Sequence, residues 1–457
     1  MRRAVFHLMT ATAILTGSTV YAQPDWSMVG QIEKNISAPV FRNVDYVITG
    51  FGAVAGGRED ALPAIRRAID KCTFEGGGRV VVPAGNFFVK GPIALKSNVN
   101  LHLEKDAELI FSSDSSDYLP VVLTRWEGTE VYNYSPLVYA YQVKNIAITG
   151  RGTLNGQGSK CFSKWSRHQR PDQQRARAFG AKGAPVYERV FGAGHWTRPS
   201  FIQPLGCSNV LIEGVKIIDS PFYLVHLVLC ENVTVRGVDF DSTNSNNDGC
   251  NPESCLNVLI EDCVFKTGND CIAIKSGRDR DAWRMGQPTQ NLIIRNCSFE
   301  SRANALVFGS ELSGGIRNVF AENIEIKNVG EGIYFKSNMD RGGYCTDVAI
   351  RNVKVVSVRG AVVRFNPDYS SGGFDYTEEY LKNRKTYPTL FRNIVIENVD
   401  AENAGTSGIN ILGVASLPIE NVIIRNFNVK KTPVEKIVEN ARNVRFEKVV
   451  INGKGIK

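Results

Sequence analysis

A chain of 457 residues with 43% apolar and 22% charged content is that of a globular protein with a sizeable core, in one large domain or two or three ordinary ones. Its formal charge of +8 favours an anionic partner, and the lack of any concentrated Lys/Arg run argues against nucleic acid. Ten cysteines over this length do not make a disulfide scaffold, and without a CxxC pair a structural zinc site is unsupported.

In chain order, the first predicted element is a cleaved export signal over 1–22. Arg2 and Arg3 precede a short apolar run, and the small residues Val20 and Ala22 stand just ahead of the expected cleavage point before Gln23. The run is far shorter than the roughly 20 residues of a membrane span, and no later segment is apolar for long enough. The mature chain, 23–457, is therefore expected to be secreted or periplasmic, with no membrane span; losing two arginines takes its charge from +8 to +6. Next, "GREDALPAIRRAIDKC" places Leu62, Ile65, Ala68 and Ile69 on one helical face and predicts a helix that caps an open end. "EGGGRVVVPAGNFFV" then starts a first coil.

From residue 97 onward one phrase recurs: "SNVNLHL", "KNIAITG", "SNVLIEGV", "ENVTVRGV", "LNVLIEDC", "QNLIIRNC", "RNVFAENI", "TDVAIRNV", "RNIVIENV", "ENVIIRNF" and "RNVRFEKV". Each unit has Asn or Asp at a turn and then β-branched residues alternating with polar ones, the period of a strand with one face inward. Spacings mostly in the twenties suit short strands and turns stacked coil upon coil, a parallel β-helix. Stacking predicts a ladder through Asn209, Asn232, Asn257, Asn291 and Asn318, because asparagine bonds nearby backbone and tolerates left-handed conformations. Helical spacing is nearly absent after residue 72. The longer intervals 98–145, 145–209 and 347–393 must hold loops, among them the basic, aromatic "CFSKWSRHQRPDQQRARAFG", and such loops commonly wall a cleft. Cys207, Cys230, Cys263 and Cys297 sit at the edges of apolar runs and are expected to pack as small hydrophobes. No linker divides the chain, so one domain and a monomer are expected.

Asp248 ends one predicted strand and Asp270 ends the next, about one coil later, so stacking puts both on one face. Hydrolysis of a glycosidic bond with inversion takes two carboxyl groups roughly 6.5–9.5 Å apart, one protonated and one ionised. The stretch "NNDGCNPESCLNVLIEDCVFKTGNDCIAIKSGRD", with "FGAVAGGRED", "VVVPAGNF", "ITGRGTLNGQG", "GSELSGGIRNVF" and "FKSNMDRGG", resembles glycoside hydrolase family 28, the polygalacturonases and related pectin hydrolases, in its bacterial branch. The likeness covers almost the whole mature chain. It implies a right-handed β-helix, an acidic plant or algal polysaccharide or oligosaccharide as partner, and no metal or organic cofactor.

The resemblance assigns water activation to Asp248, in Asn246-Asn247-Asp248, and to Asp270. Asn269 occupies the position of the general acid, and an amide does not give up a proton near neutral pH, so help typically worth about 10²–10⁴-fold is missing. Arg302, Ala303 and Asn304 stand where the family has a Gly-His-Gly motif. Tyr334 replaces an arginine that would meet a substrate carboxylate, and Asn251 stands where related sequences carry Asp. Tyrosine offers an aromatic face and a hydroxyl, which suits a neutral or deoxy sugar. Lys336 survives as the contact for an anionic sugar. Arg341, Arg302, Asn247 and Glu311 are further candidate substrate contacts, and His226 is expected to point into the cleft. Glu253, Asp279 and Asp281, with Glu311, are nearby acids that the family pattern explains as structural or positioning groups. Arg125, Trp126, Glu127, Tyr132 and Tyr134 form a cluster suited either to stacking on sugars or to packing under a loop.

These residues lead first to an exported glycoside hydrolase with a rewritten site. A carbohydrate-binding relative without turnover is the second reading. A lyase using Lys336 or Tyr334 as base is the third, by analogy of fold alone.

Overall fold

The computed structural model describes residues 23–369 and 385–457; the expected export signal, 1–22, lies outside them, as does part of the long interval after Asp347. The repeated phrases form strands that pair in parallel with the equivalent strand of the next coil. One core column runs Val210, Val233, Val258, Leu292, Val319, Val348, Ile394, Val422 and Val444, each opposite the next. The fold is a right-handed parallel β-helix. Alternation decides it: the branched residue of each pair points into the coil and its polar neighbour points out. Like residues therefore stack on like. Phe308, Phe335 and Phe365 lie nearly parallel, with ring centres 4.4 and 4.3 Å apart.

The predicted asparagine ladder is present. Asn209, Asn232, Asn257, Asn291 and Asn318 all have φ between 54° and 60°, and each donates its amide to the side-chain oxygen of the residue one coil earlier, at 2.9–3.3 Å. A second ladder at another corner, Asn296, Asn323, Asn352, Asn398 and Asn426, was not anticipated.

The two ends of the coil differ. Helix α2 (Leu62–Phe74) plugs the first end, burying Leu62, Ile65, Ala68 and Ile69 as expected, together with Ala64 and Cys72. The last end closes with a short antiparallel return, Val449 opposite Ile456, and leaves Val434, Val438 and Val450 exposed. Helix α1 (Ser27–Asn35) lies on the outside of the coil, where Ile32 and Trp26 pack against Leu259, Ile293, Phe320 and Ala349.

Two helices after residue 72 correct the expectation that helical spacing ends there. Helix α3 (Arg170–Lys182) occupies the basic stretch read as loop, with Pro171 in its first turn and Gly183 in the left-handed conformation at its C-cap. Its buried face carries Asp172, Ala176, Arg177 and Gly180 rather than an apolar stripe, so periodicity gives no signal. Helix α4 (Asp279–Met285) is a short turn beside it. All ten cysteines are unpaired, and nine, including Cys207, Cys230, Cys263 and Cys297, are buried.

Candidate functional site

The groove is floored by an 11-stranded parallel sheet. Its outward side chains form columns, because each strand repeats the place of the one before. At the entry to these strands, backbone bonds from Leu224 to Asp248, Gly249 to Asp270, Cys271 to Asn304 and Ala305 to Glu331 give Asp248, Asp270, Asn304 and Glu331 equivalent positions on successive rungs. Rungs lie about 4.7–4.9 Å apart, so the two aspartates are neighbours on one face. The turn before Asp270 needs glycine: a Cβ on Gly268 would lie 1.9 Å from the Asn244 carbonyl oxygen.

The surroundings of the two carboxylates are unlike. Asp270 accepts from the Asn304 amide at 2.7 Å and from the Lys336 ammonium at 2.8 Å. Asp248 accepts from the amides of Asn269 at 2.7 Å and Asn251 at 2.9 Å, while its closest cation, Lys275, is 3.8 Å away. Burial pushes the Asp248 carboxyl up to about 7; Lys275 works against this and neighbouring Asp270 adds to it. Lys275 is drawn instead to Glu311 at 2.9 Å, and Arg278 meets the same carboxylate at 2.6 Å. Burial alone would lower the Lys275 ammonium, but Glu311 and Asp248 outweigh it and hold it raised. Against the same burial penalty, Asp270 holds Lys336 raised.

Several sequence-predicted contacts are taken up by partners inside the protein, and these are corrections; depth alone does not set them apart, since Asp248 and Asp270 are each 1% exposed. His226 is fully buried, with Gln203 on one ring nitrogen and Glu253 on the other, each at 2.7 Å. Burial lowers it despite Glu253, which fits a neutral ring that braces the floor. Arg341 is also fully buried, held by Asp279 at 2.6 Å and by the Ser310 carbonyl at 2.9 Å. Glu311 is enclosed by its two cations. Asn247 is buried in its turn and donates to the Phe222 carbonyl at 2.7 Å. Lys336 does face the groove, but it is paired with Asp270.

The four nearby acids are ion-paired. Burial would raise Glu253, yet Arg125 and His226 bring it below the usual carboxylate range. Lys275 and Arg278 do the same more strongly for Glu311. Asp281 meets Arg189 at 3.0 Å, and Asp279 is taken by Arg341.

Arg302 is exposed, and Tyr334 lies on the floor, its ring centre 5.6 Å from the Lys336 ammonium. The cluster at 125–134 packs under a loop: Trp126 stacks on Phe222, Tyr134 tilts against Trp165, and Glu127 pairs with Arg177 of α3 at 2.9 Å. Three groups were missed: Lys275, Asn304 and Arg364. The signal for Asn304 was available, since it stands at the entry to its floor strand as Asp248 and Asp270 do to theirs; Lys275 shares its register with Glu253.

A coiled-strand groove floored by two unlike carboxylates is the arrangement of a β-helical glycoside hydrolase. The family described as Glycosyl hydrolases family 28 matches residues 72–449, and the chain belongs to it. A probable polygalacturonase of Vitis vinifera is 29% identical over 84% of this chain and 73% of its own length. An exo-poly-alpha-D-galacturonosidase of Dickeya chrysanthemi is 27% identical over 88% and 70%. Among solved structures, a hyperthermoactive exopolygalacturonase from Thermotoga maritima superposes with a TM-score of 0.88 at 37% identity, covering 94% of this chain and 96% of that one.

Proposed function

We propose that this protein hydrolyses galacturonide linkages of pectic chains, with Asp248 as the proton donor and Asp270 as the base. The observation that carries the reading is the pair of adjacent carboxylates in opposite surroundings, one beside a cation and one wrapped in amides. Groups whose surroundings push their proton affinities apart divide the acid and base work. Asp270, paired with Lys336, takes a proton from the water whose oxygen bonds to the anomeric carbon. Asp248 passes its proton to the glycosidic oxygen as that bond breaks, and exchange with solvent resets both. This gives Asp248 a part different from the water-positioning one implied by the family resemblance, and it removes the need for an acid at Asn269.

Removal of units from a chain end is part of the proposal. Arg198, from the segment after α3, donates to Asn246 at 2.6 Å and to the Ser245 carbonyl at 2.7 Å, two and three residues from Asp248, and so builds a wall beside the pair. The names of the Dickeya and Thermotoga relatives support the same mode. We also read 1–22 as an export signal and 23–457 as one unit, the latter supported by a continuous core from Tyr46 to Ile451. No described helix is long and apolar enough to cross a membrane.

The test is incubation with oligogalacturonates. New reducing ends that appear as monogalacturonate support the reading. Ultraviolet-absorbing unsaturated products point to elimination, and retention without products to binding alone; either overturns it. A pH profile adds a second check. Asp248 must hold its proton to act, so turnover is expected to be highest below about pH 7 and to fall as pH rises through that value. Asn251→Asp removes an amide donor and adds a like charge, so the falling limb is expected to move to higher pH. A limb that stays in place counts against Asp248.

A further inference from the structure

We propose that Arg364 is the carboxylate anchor of this groove, a specificity-determining residue that grips the uronic acid group of the sugar lying over Asp270 and Tyr334. The inference rests on the galacturonide reading above and adds the residue that selects the acidic sugar. The arginine of the family pattern is absent at Tyr334, and register shows where another guanidinium has entered. Tyr334 pairs directly with Arg364 on the next rung, and Lys336 with Asn366. Val363 and Phe365 point into the core, so Arg364 and Asn366 extend the outward columns that carry Tyr334 and Lys336.

Arg364 is held but not used up. Its Nη1 donates to Glu331, and its guanidinium carbon lies 5.5 Å from the centre of the Tyr334 ring. The side chain is 31% exposed, yet its Nε is buried and has no hydrogen-bond partner among the described residues. A guanidinium is a fork of N–H donors that suits a carboxylate. Nη1 is fixed on Glu331 and Nε is covered, so it is the exposed remainder of the guanidinium that can meet an incoming carboxylate.

The fork is tied to the reacting pair by a short chain of contacts. Glu331 accepts from the Ala361 backbone at 2.6 Å, and its own backbone N–H donates to Asn304 Oδ1 at 2.9 Å. Asn304 in turn donates to Asp270 at 2.7 Å. Lys336 is a poorer anchor, because its side chain is 11% exposed against 31% for Arg364. Tyr334, between Lys336 and Arg364, supplies a flat floor for a sugar ring.

The experiment compares wild type, Arg364→Ala, Arg364→Gln and the double variant Tyr334→Arg/Arg364→Ala on trigalacturonate and on its methyl-esterified form. Wild type is expected to prefer the free acid. Both Arg364 variants are expected to lower the acid-over-ester ratio of kcat/KM by about 10–100-fold, mainly through KM, as loss of a charged hydrogen-bonding partner does. The double variant is expected to recover part of that ratio by returning the guanidinium to the neighbouring rung. Arg364→Gln keeps length and a donor, so it reports on charge even where the alanine variant folds poorly. Equal losses on acid and ester would make Arg364 only a brace for Glu331 and overturn the proposal while leaving the hydrolase reading intact. A wild type inert on both substrates would overturn the galacturonide reading, and the anchor with it.

Discussion

Asp270→Asn is expected to lower turnover of oligogalacturonate by about 10²–10⁴-fold, the range for losing a general base. The amide is nearly the same size and keeps the Asn304 contact open, so the chain should fold and the substrate should still bind. What disappears is the carboxylate oxygen beside Lys336, and with it the acceptor for the proton of water. Reducing-end release under saturating substrate, read beside a melting curve, checks this. Undiminished release from a folded variant would remove Asp270 from the reaction. The companion change Asp248→Asn is equally severe for turnover but opposite for stability. A carboxyl pushed up to about 7 must ionise at a cost as pH rises from the unfolded range of about 4 toward 7. Replacing it is therefore expected to make the folded chain more stable above neutral pH.

Glu311→Ala is expected to be the most destabilising single change at the groove, at about 3–5 kcal/mol, because it strands two buried cations. Lys275 and Arg278 reach Glu311 at 2.9 and 2.6 Å, and all three side chains are almost wholly out of water. Removing one partner of such a cluster costs far more than the cluster contributes net, since the remaining charges have no solvent to return to. Denaturant titration with urea reads the effect, and a midpoint equal to that of wild type would mean that the two cations find other partners. Lys275 has one within reach, Asp248 at 3.8 Å. If it turns there, the alkaline limb of the pH profile moves down, so stability and acid strength change together.

Most of the fold was legible because a coil repeats its instructions. Asparagine or aspartate at each turn and branched residues at every second place appear eleven times, and each appearance supports the next. Helix α2 was legible from its apolar face. Helix α3 was not, because the side it buries carries Asp172, Arg177 and Gly180; Asp172 is met by His195 and Trp196, and Arg177 by Glu127. The site divided along the same line. Asp248, Asn269 and Asp270 could be located by counting coils. Partners could not be counted: His226, Arg341 and Glu311 belong to the right rungs, but each is consumed by a charge or hydrogen bond from another coil. Arg364 was invisible for the reverse reason. Its sequence neighbours are core residues, and only the pairing of its strand with that of Tyr334 brings it to the groove.

The unlike ends of the coil give the molecule a direction of failure. Each turn touches only the turns on either side, so loss of structure travels by neighbours. The first turn is stoppered by α2, whereas the last has Val434, Val438 and Val450 open to water and a three-residue return strand as its closure. Unwinding should thus begin at the tail and advance toward the groove, with backbone amides near residue 440 trading hydrogen for deuterium well before those around Asp248, and with catalysis outlasting the first losses of strand.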